Sequence, residues 1–192
     1  MSIPTLYRLG ALAGVLSGAC IIIGRLLAGL PDTQPAEVFD VLSPFFALFL
    51  AVSLYLGQRR ESGAFGAVAF IVLFTGLVAL VCLDYYGAFI RLYLPPAIIE
   101  QVEQGPSSGV FVGSLLTFLA GEMLFGISVI RAGIYSRAAA VLFMLGLVAV
   151  VLHPTGLLPE WVIDLGAAAA GTGLIVWSRD LHRLARTRAH AR

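Results

Sequence analysis

Residues 64–90 read AFGAVAFIVLFTGLVALVCLDYYGAFI, an apolar run whose one charge, Asp84, comes near its end. About 20 apolar residues in a helix cross the roughly 30 Å of bilayer hydrocarbon. Working outward, the same pattern recurs at 6–29, 40–57, 108–130, 137–153 and 161–178. Turn chemistry separates the runs: PDTQP at 31–35, QRRESG at 58–63, PP at 95–96 followed by EQVEQGPSSG, RAG at 131–133, and HPTGLLPE at 153–160. The reading is an all-α, polytopic membrane bundle of six transmembrane helices. Residues 1–178 form the membrane domain and 179–192 a basic tail.

The whole chain agrees with its parts. It has 192 residues, 59% hydrophobic and 12% charged, and a mean hydropathy of +0.96. Soluble domains are about half apolar and about a quarter charged. A soluble globular domain, a disordered chain and a nucleic-acid binder are therefore excluded. The net charge of +1 points to no partner. All twelve basic residues are Arg, and the chain lacks Lys and Asn. This is read as the coding bias of a GC-rich prokaryote. Cys20 and Cys82 fall inside apolar runs without CxxC spacing, so they are read as packing residues. Arg8 followed by LGALAGVLSGAC imitates a signal peptide. Ser17 stands where a lipoprotein site needs an aliphatic residue, however, and the run continues through IIIG, so an uncleaved first span is expected.

Charge sets the orientation. With six spans both termini share a side, and ten of the twelve Arg lie there: Arg8, Arg59, Arg60, Arg131, Arg137, Arg179, Arg183, Arg186, Arg188 and Arg192. The opposite connectors and helix ends hold Asp32, Glu37, Asp40, Glu100, Glu103, Glu160 and Asp164. The positive-inside rule puts both termini in the cytoplasm, and with the coding bias this means a prokaryotic cytoplasmic membrane. Trp161 and Trp177 are about 24 Å apart along a helix, the spacing of two interfacial aromatic belts.

Small residues mark close helix contacts in lipid. Gly10, Gly14 and Gly18 in the first span, Gly109 and Gly113 in the fourth, and Gly166 opening GAAAAGTG in the sixth are expected to face protein. That protein is either the rest of the bundle or a partner subunit. A faint internal repeat relates Tyr7-Arg8, Gly29-Leu-Pro and Asp40 to Tyr135-Ser-Arg137, Gly156-Leu-Leu-Pro and Asp164. The competing explanation is that every membrane hairpin needs an inner Arg, an outer turn and an acid near a helix start.

Charges at membrane depth usually face protein or water. Arg25 continues the glycine face of the first span, and Asp84 should reach a similar depth, so the two are expected to pair. Asp40, Asp164, His153, Tyr85, Tyr86 and Arg91 belong to the same outer layer, and together they suggest an outer polar cluster. The plainer alternative is snorkelling and helix capping. Glu122, in LTFLAGEMLFG, lies about 20 Å into the fourth span, with no basic residue at that depth in the others. It is the candidate for a proton-linked site. A neutral Glu bonded to Ser17, Ser53, Tyr55 or Thr75 would explain it equally.

Motifs for hydrolysis, nucleotide binding, haem ligation or a metal centre are missing, so no catalytic residue, metal or cofactor is expected. The tail, RDLHRLARTRAHAR, puts Leu181, Leu184 and Ala185 on one side if helical. It reads as an anchor on anionic lipid or a docking arm. The leading functional expectation is a non-catalytic accessory or structural subunit of a larger membrane complex. A small proton-coupled carrier or channel using Glu122 comes next, then a membrane enzyme of lipid or redox chemistry. The expected partners are the bilayer and other membrane subunits or copies of the chain, with no nucleic acid.

Overall fold

The fold is described from a computed structural model, which covers residues 3–29, 34–153 and 156–190. Asp32 and Arg192 lie outside these residues, as does the side chain of Arg188. The described chain is all-helical: α1 (Ile3–Leu27), α2 (Gln34–Tyr85), α3 (Pro96–Gln104), α4 (Ser108–Ala132), α5 (Arg137–Val151) and α6 (Glu160–His190). A π-helical turn at Tyr86–Ile90 and a 3₁₀ turn at Arg91–Tyr93 lead from α2 to the short, exposed α3. Among the described residues α1, α2 with the turns after it, α4 and α6 are long and apolar enough to cross a membrane. The 15-residue α5 is apolar but shorter.

As a straight rod, α2 would be about 78 Å long. Instead it reverses at Gly63, whose φ of 58° and ψ of −150° only glycine adopts without strain. The arms 34–62 and 64–85 lie side by side, with the rings of Tyr55 and Phe70 stacked at 4.5 Å. The connector expected at 58–63 is thus helical up to a single hinge residue. The run at 64–90 likewise stays α-helical only to Tyr85 before the π turn begins.

Six rods result, with neighbours in the order α4, second arm of α2, first arm of α2, α1, α6, α5; α5 also touches α4. In lipid there is no hydrophobic drive between helices, so close backbone contact and hydrogen bonds hold them. A Cβ at Gly18 would lie 2.5 Å from the carbonyl oxygen of Gly171, and one at Gly171 would lie 2.6 Å from that of Gly18. Backbones of α1 and α6 therefore touch. Gly121 sits as tightly on Leu73, joining α4 to the second arm of α2. Ser17 Oγ donates to the Ser43 carbonyl at 2.9 Å, and Tyr135 Oη to that of Leu54 at 3.1 Å. Such bonds contribute about 0.6 kcal/mol each in membrane proteins, with a maximum near 1.7. The expected glycine faces divide. Gly10, Gly14, Gly18 and Gly166 pack inside the bundle, whereas Gly109 and Gly113 have nothing within 4 Å of a built Cβ.

The two ends of the bundle differ in charge. Gly10 lies against Ser53 and Leu181, and Gly57 against Tyr135 and Leu184. The start of α1, the Gly63 hinge, the α4–α5 turn and the end of α6 therefore share one end, with Arg8, Arg59, Arg60, Arg131, Arg137, Arg179, Arg183 and Arg186. The segment from residue 179 to His190 continues α6 without a break, and Leu181 and Ala185 are fully buried in the common core.

Trp177 corrects an expectation. It is not in an aromatic belt but buried, 2% exposed. Its ring packs on Phe143, and its Nε1 donates to the carbonyl of Ser136 at 3.3 Å. Ser136 also caps α5 through its side chain, and its backbone N–H donates to Asp180. An indole facing this turn has a polar partner inside the protein and so needs no membrane interface. Trp161, at the other end, is 64% exposed.

Candidate functional site

The six rods enclose a cavity of about 440 Å³. Its walls are mainly apolar, with leucine the commonest residue and four aromatic rings, and α1, both arms of α2, α4, α5 and α6 all contribute. Five of the residues singled out from the sequence line it: Arg25, Asp40, Asp84, Glu122 and His153. The first three and His153 belong to the end opposite the Arg-rich one. Glu122 lies deeper. Gly121 touches Leu73, and Asp84 is eleven residues along the arm from Leu73, so the two acids are separated by about 16 Å in depth.

Arg25 does not pair with Asp84. Its Nε donates to Asp164 at 2.7 Å and its Nη2 to Glu160, both on α6. The physical reason is ring order: α1 lies against α6, while the second arm of α2, which carries Asp84, is two rods away. Glu160 also faces His153 Nε2 at 3.3 Å. One acid at the start of α6 thus joins α1 to the end of α5. Glu160 was seen from sequence only as an outer charge. Its signal was its place in EWVID, one turn before Asp164, where an acid favours a helix start and two acids meet one Arg.

The cavity acids are otherwise bare. Glu122 is 4% exposed, and neither it, Asp40 nor Asp84 has a hydrogen bond or ion pair among the described residues. None of the four hydroxyls considered as partners bonds Glu122: Ser17 bonds Ser43, Ser53 bonds the Leu6 carbonyl, Tyr55 stacks on Phe70, and Thr75 is exposed and off the cavity wall. On α4 itself Phe118 and Phe125, one turn before and after, flank Glu122 on the cavity face. Pro44 lies inside the first arm of α2 and deprives the Asp40 carbonyl of its helical donor, adding an acceptor near the mouth.

Of the expected outer cluster, Tyr85, Tyr86 and Arg91 are not on the cavity wall, and Tyr86 packs on Phe111. Tyr85 is 51% exposed and packs on Phe89, and Arg91 pairs with Glu103 at 2.8 Å on the surface. Among the described residues no three His, Cys, Asp or Glu side chains converge as metal ligands.

A cavity this size holds a drug-sized molecule. Its apolar wall with a few charged side chains suits the binding of such a molecule. Comparison of the chain with protein-family models, with curated proteins and with solved structures returns no match.

Proposed function

We propose that this protein is a small multi-span membrane carrier that binds its substrate in the central cavity and couples the binding to a proton on Glu122. One observation carries the reading: a carboxyl group buried at mid-bundle, without a partner among the described residues, on the wall of a cavity built by all six rods. An unneutralised acid in hydrocarbon is costly, and intramembrane acids of this kind usually mark an ion or substrate path. In this reading the six rods are six spans. The Arg-rich end, with both termini, lies in the cytoplasm of a prokaryotic cell, and the cavity mouth faces outward. Arg25, tied to Asp164 and Glu160, fastens α1 to α6 at that mouth.

The test is flux through the purified protein in liposomes holding a trapped pH dye. Pulses of small organic solutes are expected to move protons with the wild type and not with Glu122→Gln. Equal proton movement in both, or in neither, rejects the reading.

A second reading keeps the protein as a non-catalytic subunit of a larger membrane complex. Its support is the Gly109–Gly113 face on α4, where a built Cβ meets nothing within 4 Å among the described residues. Extraction in mild detergent followed by native mass spectrometry separates the two. Stoichiometric companions favour the subunit, whereas a lone chain or a homo-oligomer favours the carrier.

A further inference from the structure

We infer that the occupant of the cavity is an amphiphilic organic cation, its apolar body among the leucines and rings and its positive centre against Glu122. The inference rests on the carrier reading and adds the substrate class.

The charge count of the cavity wall carries the argument. Three acids line it: Asp40, Asp84 and Glu122. The one permanent cation there, Arg25, is already bound by Asp164 and Glu160, and His153 faces Glu160 as well. Arg25 also lies near Asp40, but among the described residues no basic side chain is left over for Asp84 and Glu122. A buried acid with no partner is stabilised by whatever positive charge enters. An anionic occupant would meet three carboxyl groups and no free donor cation.

Ring chemistry agrees. Phe118, Phe125, Phe143 and Trp177 line the same cavity. Phe118 and Phe125 bracket Glu122 along α4, and Phe143 and Trp177 stand 5.2 Å apart, centroid to centroid. Aromatic faces attract cations, and rings gathered around an acid form the recognition chemistry of alkylammonium groups. Small inorganic cations fit poorly. The acids are spread over about 16 Å of depth, and among the described residues no three potential metal ligands converge. A large organic cation needs only one counter-charge at a time, and the pair near the mouth can receive it before it reaches Glu122.

The experiment uses the full chain in nanodiscs of neutral lipid, with equilibrium dialysis against empty nanodiscs. The probes are tetraphenylphosphonium and tetraphenylborate, which share a shape and differ in sign. The phosphonium is expected to bind saturably at one per chain, and the borate to show no saturable binding. Glu122→Gln should weaken the phosphonium at least tenfold, and Asp84→Asn should weaken it less. Unchanged helical circular dichroism certifies the fold of each variant. Saturable borate binding without phosphonium binding overturns the cation class and leaves the carrier reading standing. Phosphonium binding that ignores both substitutions overturns the placement at Glu122. If neither probe binds, the cation class falls, and the liposome assay alone then decides whether the carrier reading falls with it.

Discussion

Gly171→Ala adds one methyl group at the point where α6 meets α1. The new Cβ would lie 2.6 Å from the Gly18 carbonyl oxygen, against about 3.4 Å for ordinary contact. The obstacle is backbone, so no side chain can swing aside, and the helices must part by roughly 0.8 Å. A gap of 0.5–1 Å forfeits about a quarter to a half of the dispersion energy of the atoms that face it. Overpacked positions cost about 1–3 kcal/mol. The middle of that range, about 2 kcal/mol, lowers the folding equilibrium roughly thirtyfold. The assay is reversible unfolding in mixed micelles, titrated with a denaturing detergent and followed by helical circular dichroism. Gly113→Ala is the control, since nothing lies within 4 Å of a Cβ there. It should be neutral or slightly stabilising through helix propensity. If Gly171→Ala unfolds at the same detergent fraction as Gly113→Ala, the α1–α6 backbone contact is not what the reasoning requires.

Gly63→Ala should cost about 1–3 kcal/mol in the same titration, because its φ of 58° and ψ of −150° suit glycine alone; an unchanged midpoint would count against the hinge. Cysteines placed at exposed positions on opposite ends should report topology: in intact cells an impermeant maleimide should label Ser107→Cys and not Thr187→Cys, and the reverse pattern would invert the orientation. Lowering the pH should weaken phosphonium binding, because a proton and the cation compete for Glu122. Asp40 and Asp84, the other acids on the cavity, act in the same sense, Arg25 stays charged, and His153 faces Glu160. Binding that strengthens in acid would reject this competition. With Trp161 replaced by Phe, the remaining Trp177 should change emission when the cavity fills; with Trp177 replaced by Phe, the exposed Trp161 should not.

The helices were legible because apolar length and turn chemistry are local. Runs at 6–29 and 108–130 became α1 and α4 to within a few residues. Boundaries failed where one residue decides. Gly63 alone reverses α2, so QRRES stays helical, and although the tail puts Leu181, Leu184 and Ala185 on one side if helical, whether α6 continues to His190 depends on Leu181 and Ala185 finding a core. Among the site residues, the depth of Glu122 follows from counting along one helix. The partner of Arg25 does not, because depth along a helix leaves open which rod stands beside which. Trp177 failed for the same reason: its interfacial spacing from Trp161 was real, but the side of α6 that faces Ser136 is set by neighbours. The cavity is a property of the ring of rods and has no counterpart in any one run.

The length of α6 has a mechanical consequence. It is one continuous rod, gripped at the mouth by Arg25 and at the other end by Ser136, and it touches α1 backbone to backbone at Gly171. Gly171 lies eleven residues from Glu160 and twelve from Arg183, so the contact stands about 16 Å from the first and about 18 Å from the second. A rigid bar resting on a fulcrum moves two such points in opposite directions by nearly equal amounts. Any tilt that releases Arg25 and widens the mouth would press the Arg183 end inward. Spin-label distances across both ends, changing with opposite sign on ligand addition, would reveal such a see-saw, and changes of the same sign would exclude it.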